Sequence, residues 1–577
     1  MSLKQLAPSF DTSCTLHRYN KNDGEKMLPK TEASFHQDTR GEVKQKDMTH
    51  CHRCPPKRPK VSTPLTGSSV LQTEKQFIEA AKNNDVAAMK TLGKGLNANA
   101  MNVHGRTALH YAVAGKNKEA VELLLRRRVR VDQRDKFGVA PIHLAAWFGS
   151  LDILKLLVRA GAEQKIENEE GLNIMHCAAV NNHTDIVEYI VNDLQMKELE
   201  KDDKSGNCTF AMAAQHGCVQ MLEMLMEPFY NMATMKPNKR GDTPLHLAAR
   251  NGHLDAVQLL LLSFDTRDEV NMDGETSLYQ AADSGQEQCV LALLQAGCDP
   301  NIQTTSKSSA LHPVSERGDT ALVQLLLEYK AYTDFQNEEM EAPLHLAVKN
   351  SHIAVIHFLL EAGCNINSSN KRSQTAMHLA AELARIDVVE MLLKAEVDLT
   401  LQDRQGKTAL GVAARADEVI MVDMIVKAER YYAWKTVNPE FNDSVLSEYP
   451  LTLKLDLSEY PLTFKLDHRY ETKQFRSMAW RLTYQLLKPG DWKSLAEHWG
   501  FTQDQVSAIE RQWTGQHSYK EHGNRMLLIW LHGEELARKS PSVELYQALA
   551  TTGNGKAAAD QMRMESESVS RRNCRVS

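Results

Sequence analysis

The chain has 577 residues, 42% of them apolar, and 68 Lys and Arg stand against 74 Asp and Glu for a net charge of −6. That is enough apolar material for one long array or several domains, and too little positive charge for a nucleic-acid-binding protein, whose binding surface is concentrated and basic. No apolar run approaches the ~20 residues that cross a bilayer, and the opening MSLKQLAPSFD lacks the apolar core of a secretory signal, so a cytoplasmic or nuclear protein is expected.

Residues 1–72 read as a disordered basic tail, polar and without apolar periodicity; positions 1–70 carry 12 Lys and Arg against 7 Asp and Glu. Cys51, His52 and Cys54, with His50 beside them, form one zinc-knuckle-like cluster. A zinc site needs a second pair at suitable spacing and none follows, so the cluster reads as solvated tail. Lys57, Arg58 and Lys60, kept extended by Pro55 and Pro56, fit a short nuclear-import pattern.

From Glu74 the pattern becomes helical. Phe77, Ala80, Ala81 and Met89 fall at helical spacing without a turn signature, as a capping half-repeat would. A frame then runs through Gly105, Gly138, Gly171, Gly206, Gly241, Gly274, Lys307, Met340, Ser373 and Gly406, with steps of 33 residues except for two of 35. In its clearest copy Thr243, Pro244, Leu245 and His246 precede Leu247 and Ala248. This resembles the ankyrin repeat and implies an array of ten helical hairpins with β-turn fingers over residues 73–432, stacked into a solenoid whose concave face holds another protein.

Each signature residue has a mechanical task. Glycine suits a turn with positive φ, threonine caps the first free amides, and proline fits the first helical position, which needs no N–H. His110, His143, His176, His246, His312, His345 and His378 are expected to bond their own turns; Ala211, Tyr279 and Gly411 replace them elsewhere. Repeat seven is the most irregular: Lys307 replaces glycine and Pro313 falls where helix interior is expected, which predicts a bend or soft joint. Trp147 and Phe148 occupy a slot filled in other repeats by Arg250 and Asn251 or by Asp283 and Ser284. The aromatic pair is either a binding hot spot or a wedge against the adjacent repeat. Cys177, Cys208, Cys218, Cys289, Cys298 and Cys364 read as small hydrophobes in a reducing compartment.

Residues 433–470 read as a linker containing a tandem copy: LSEYPLTLKLD at 446–456 is followed by LSEYPLTFKLD at 457–467, differing only at Leu453 against Phe464. Leu451, Leu453, Leu455 and Leu457 alternate as in a short strand, broken by Pro450 and Pro461. The duplication reads as one that a linker tolerates, the alternative being a pairing strand for a partner.

A helical module follows at 471–553, with residues 554–577 as a disordered tail. Phe475, Met478, Ala479, Leu482 and Leu486 are followed by Asp491 as an expected N-cap, a capping box at Thr502 to Gln505, the apolar RMLLIWL, and SVELYQAL. DWKSLAEHWGFTQDQVSAIE with MLLIW and VELYQAL resembles a death domain, with Trp499 in a slot usually held by leucine. The combination resembles the ankyrin repeat and death domain-containing protein 1 family. The resemblance implies an all-α fold, a solenoid followed by a six-helix bundle, and a death-domain partner or self-association through exposed charges: Lys493, Glu497, Glu510, Arg511, Lys520, Glu521 and Arg525. The terminal Cys574-Arg575-Val576-Ser577 has the form of a prenylation box, weakened by arginine in its first aliphatic slot, so a membrane role is not expected.

No phosphate loop, nucleophile elbow or HExxH motif is present, so no catalytic residue, cofactor, metal or small-molecule substrate is called for. The leading reading is a non-enzymatic adaptor in signal transduction, its array gripping one protein and its bundle another. The alternative is a nuclear regulator whose array binds a transcription factor.

Overall fold

The computed structural model describes residues 72–92, 95–416, 418–438, 462–465, 472–512, 515, 517–536 and 541–551. The expectations for Cys51, His52, Cys54, Lys57, Arg58, Lys60, Cys574, the alternating leucines and both tails lie outside these residues. Among the described residues there is no named strand, only the isolated bridges Val270–Thr276 and Ser369–Thr375.

Two helices, Gln72–Lys82 and Val86–Leu92, open the array, with Phe77, Ala81 and Met89 buried as the half-repeat predicts. Ten hairpins follow, from the inner helix Ala108–Ala114 to the terminal outer helix Val419–Val437. A typical inner helix, Pro244–Arg250, has two turns and could not persist alone in water. It buries Leu245, Ala248 and Ala249, while the outer helix Leu254–Ser263 buries Ala256, Val257 and Leu260. The extra residues of repeat three are taken up where the outer helix Thr184–Glu188 widens into a π-helical turn, Tyr189–Asp193, before a short 3₁₀ turn.

Two devices tie neighbouring hairpins together, the first at every joint and the second at most of them. The first is a row of backbone bonds between fingers. The amides of Lys136, Glu169, Lys204, Lys239, Met272, Thr305, Glu338, Lys371 and Arg404 donate to carbonyls of His104, Phe137, Glu170, Ser205, Arg240, Asp273, Ser306, Glu339 and Arg372. The fingers approach so closely that a Cβ on Gly274 would lie 2.7 Å from the Thr305 nitrogen. Lys307, Met340 and Ser373 hold the same left-handed conformation without glycine, at φ of 59°, 56° and 56°. The turn therefore prefers glycine and does not demand it.

The second device is the buried histidine. In His246, Nδ1 accepts from the Thr243 amide (3.2 Å) and lies 2.8 Å from its hydroxyl, while Nε2 donates to the Glu275 carbonyl of the next repeat (3.0 Å). A carbonyl can only accept, which fixes the neutral tautomer with its proton on Nε2. His110, His143, His176, His312, His345 and His378 repeat the arrangement. The expectation that these residues serve their own turns was therefore half of their role. Burial holds His110 and His143 down at about 4. Where histidine is missing, the cap side chain bonds the helix directly: Thr276 to the Tyr279 amide, Thr408 to the Gly411 amide, and Cys208 Sγ to the Ala211 amide.

Repeat seven is not broken. Its inner helix, Leu311–Arg317, places Pro313 third, in the first turn where the lost N–H has no helical partner. Both flanking finger bonds and the His312 bridge to Glu341 are intact.

The C-terminal bundle has five helices among the described residues, where six were expected: Lys473–Arg481 with a π-helical extension to Leu486, Asp491–His498, Gln503–Arg511, Ser518–Leu536 and Pro541–Thr551. Its core contains Trp530, Leu495, Ile509 and Leu545. Trp499 stacks on Trp530 at 4.2 Å, so tryptophan at that position extends the core. Thr502 and Gln505 form the predicted capping box, with each side chain bonded to the other's amide. Asp491 is the first helical residue, not the cap; Gly490 takes that place, and the Asp491 carboxylate accepts from the Lys488 amide.

Candidate interaction surfaces

The bundle sits directly on the end of the array. The terminal outer helix continues to Val437, past the expected linker start at 433; Asp423, Glu429 and Arg430 on it bond the bundle, while Tyr432 and Lys435 near its end bond Leu393 and Glu396 of the array. Arg525 reaches across from the long bundle helix, its Nε and Nη2 donating to one carboxylate oxygen of Asp423 at 2.9 and 2.6 Å. Arg430 lies over the Phe501 ring at 4.1 Å and donates to the Trp499 carbonyl, while Gln505 donates to Glu429 at 2.8 Å. Burial pushes the Glu429 carboxyl up and brings Arg430 down to about 10.

Part of the expected linker belongs to this junction. Phe464 is fully buried between array and bundle, its ring 5.9 Å from Tyr431 and 5.7 Å from His532. Lys427, itself 5% exposed, donates to the carbonyls of Phe464 and Lys465.

These contacts revise the expected partner-binding charges. Arg525 is 3% exposed and engaged within the chain, so it presents no surface charge. Glu521 is half-buried and accepts from the Tyr484 hydroxyl. Lys493 and Glu510 pair with one another at 2.5 Å, and Lys520 is half-buried. Glu497 and Arg511 are exposed as expected. Trp480, 48% exposed and stacked on Tyr484 at 4.8 Å, is a surface aromatic that lies off the buried stripe of Phe475, Ala479 and Leu482, and that displacement from the apolar spacing was the signal for it.

On the array, Trp147 and Phe148 are both half-buried. The Trp147 carbonyl accepts from His183 of the next repeat, which ties its backbone down. Arg250 is half-buried, and Asn251 is exposed but caps its own helix through the Leu247 carbonyl. Trp147 and Arg250 hold equivalent positions three repeats apart, about 30 Å along the stack, so they are separate parts of one long surface. Between inner helices six to eight lies a cleft of about 390 Å³ lined by Tyr279, Asp283, Glu316, Glu341 and Lys349. Burial raises the Asp283 carboxyl and pushes Tyr279 up to about 12. A larger cleft of about 1100 Å³ opens at the junction, between Tyr432 and Trp434 on one side and Thr502 and Asp504 on the other.

Among the described residues no group of three His, Cys, Asp or Glu side chains is placed to hold a metal ion, and no helix is long and apolar enough to cross a membrane. The six described cysteines are free; burial pushes the Cys177, Cys298 and Cys364 thiols up to about 12, which makes them inert packing groups.

The chain matches the family model described as ankyrin repeats (3 copies) over residues 77–168, 142–235, 211–304 and 296–370, and that described as ankyrin repeats (many copies) over 359–413. It is 32% identical over 143 residues to serine/threonine-protein kinase 12 of Arabidopsis thaliana, covering 24% of this chain and 28% of that protein. It is 27% identical over 164 residues to ankyrin repeat protein nuc-2 of Neurospora crassa, covering 28% and 15%. The matches thus span under a third of each relative's length. A crystal structure of the human ASB11 ankyrin repeat domain is similar at 24% identity over 36% of this chain and 92% of that one, with a TM-score of 0.33. With more than half of its residues matched as repeats, and with their turns, caps and stacking in place, the chain belongs to the ankyrin repeat family.

Proposed function

We propose that the protein is a non-enzymatic adaptor in intracellular signalling: the concave face of the array grips one protein while the C-terminal bundle recruits a second, a death-domain protein or another copy of itself. The observation that supports this reading is the joining of a continuous stack of ten repeats to a separate helical module through a specific, buried junction. Holding two partners on one chain raises their effective concentration for each other without any new contact between them.

On the array, Trp147 and Phe148 are the proposed anchors at one end of the face, and Arg250 and Asn251 are the polar contacts further along. On the bundle, Glu497, Arg511 and the Lys493–Glu510 pair remain available to select a partner by charge, with Trp480 as an apolar anchor. Arg525 is withdrawn from that set.

Proteins retained by the full chain from a cytosolic extract, compared with those retained by Trp147→Ala/Phe148→Ala and by Glu497→Lys/Arg511→Glu variants, test the reading. Each variant is expected to lose a different set of partners. If both lose the same set, or neither loses any, the two-handed adaptor is wrong.

A further inference from the structure

The segment Thr463-Phe464-Lys465 crosses the junction and is held at almost every polar atom. The Phe464 amide donates to both carboxylate oxygens of Glu390, at 3.1 and 3.3 Å. The Lys427 ammonium donates to the carbonyls of Phe464 (3.2 Å) and Lys465 (2.9 Å), and His532 Nε2 donates to the carbonyl of Thr463 (2.8 Å). The Lys465 ammonium meets Asp387 at 2.7 Å. Only the buried ring reads the identity of residue 464; everything else reads backbone or lysine. Eleven residues upstream the chain carries the same sequence, with Leu453 in place of Phe464 and Lys454 in place of Lys465.

We propose that the cleft formed by Ile386–Lys394, Val419–Val437 and Ser518–Leu536 is a peptide seat with two ligands in the same chain, and that Leu446–Asp456 exchanges with Leu457–Asp467 for it. Docking of the first copy keeps the carboxylate, ammonium and imidazole contacts, because these address the main chain and a lysine that both copies share. It replaces a buried phenyl ring with a smaller isobutyl group, so the second copy is favoured roughly tenfold. Exchange moves eleven residues of chain from the array side of the seat to the bundle side. The bundle then hangs on a longer tether, and the register of docking controls how tightly it is drawn onto the array.

Zero-length carbodiimide crosslinking of the full chain, read by tandem mass spectrometry, tests this directly. The Lys465–Asp387 pair is close enough to couple, and peptides from the two copies differ in mass through Leu453 and Phe464. The wild-type chain should give mainly the Lys465–Asp387 product with roughly a tenth as much Lys454–Asp387 product, unchanged on dilution. Phe464→Ala should reverse the ratio, and Leu453→Phe should bring the two products to near parity without disturbing the native contacts. Absence of any Lys454–Asp387 product in both variants would overturn the proposal. A Lys454–Asp387 product that disappears on dilution would overturn it too, by assigning that occupancy to a second molecule.

Discussion

Between repeats five and six the interface is closed by parts that recur along the array: an imidazole bridging to the next turn, a finger amide bonded to the finger before it, and a glycine with no room for a side chain. Between repeat ten and the bundle none of these parts is used. There the closure consists of a buried ion pair, a guanidinium over a phenyl ring and an inserted phenylalanine, each occurring once. Recurrent joints share their stability over many weak and equivalent links, so one can be degraded without loss of the fold. A unique joint concentrates its stability in a few groups and fails when one of them is removed.

The sharpest way to break the comparison is Arg525→Ala. It leaves the Asp423 carboxylate inside the junction without the guanidinium that donates to it, and a loss of about 3–5 kcal/mol is expected for the array–bundle unit. Urea denaturation should show the bundle releasing before the array, whereas a single unshifted transition would mean that the pair contributes little.

Acid probes the recurrent joints. His110 and His143 titrate near 4 when folded and near 6.5 when unfolded, so the unfolded chain binds more protons between those values. Their contribution is complete above about pH 6.5, declines as the pH falls toward 4 and changes no further below it. Replacing both with glutamine should flatten the thermal stability profile in that window by a few kcal/mol, measured by calorimetry from pH 7 to pH 4.

Gly274→Ala asks how rigid a recurrent joint is. The new methyl group would face the Thr305 amide at 2.7 Å from a backbone with φ of 73°, and the expected cost is about 1–3 kcal/mol. Hydrogen exchange should show loss of protection confined to repeats six and seven. The smallest effect is expected from Thr502→Ala, which removes one helix cap in the bundle and costs about 1 kcal/mol with no change in array protection.

The array was legible in the sequence because its signal is repetition: a frame held from Gly105 to Gly406 makes each weak local preference count ten times. The junction was not, because its signals are single. Arg525 stands at the head of an apolar run, where a surface charge would stand, and its partner Asp423 lies 102 residues away on another element. Phe464 sits in a Pro-broken stretch whose duplication suggested tolerance of change, and nothing local distinguishes an anchored copy from a spare one. Pro313 was misplaced for a smaller reason: a helix that starts one residue later turns an interior position into a first-turn position.

The histidine bridges also imply where the array gives way under load. Of its first nine repeats, seven send an imidazole across to the neighbour, and in repeat six the Tyr279 side chain meets that of Ser308 in the next. Repeat four has Ala211 in that place, whose methyl group makes no hydrogen bond, so that joint is held instead by the finger bond of Lys239 to Ser205 and the Asn238–Asn207 bond. Pulled from its two ends, as a tether between two bound proteins would be, the stack should part first between its fourth and fifth turns, leaving two half-arrays able to snap shut again.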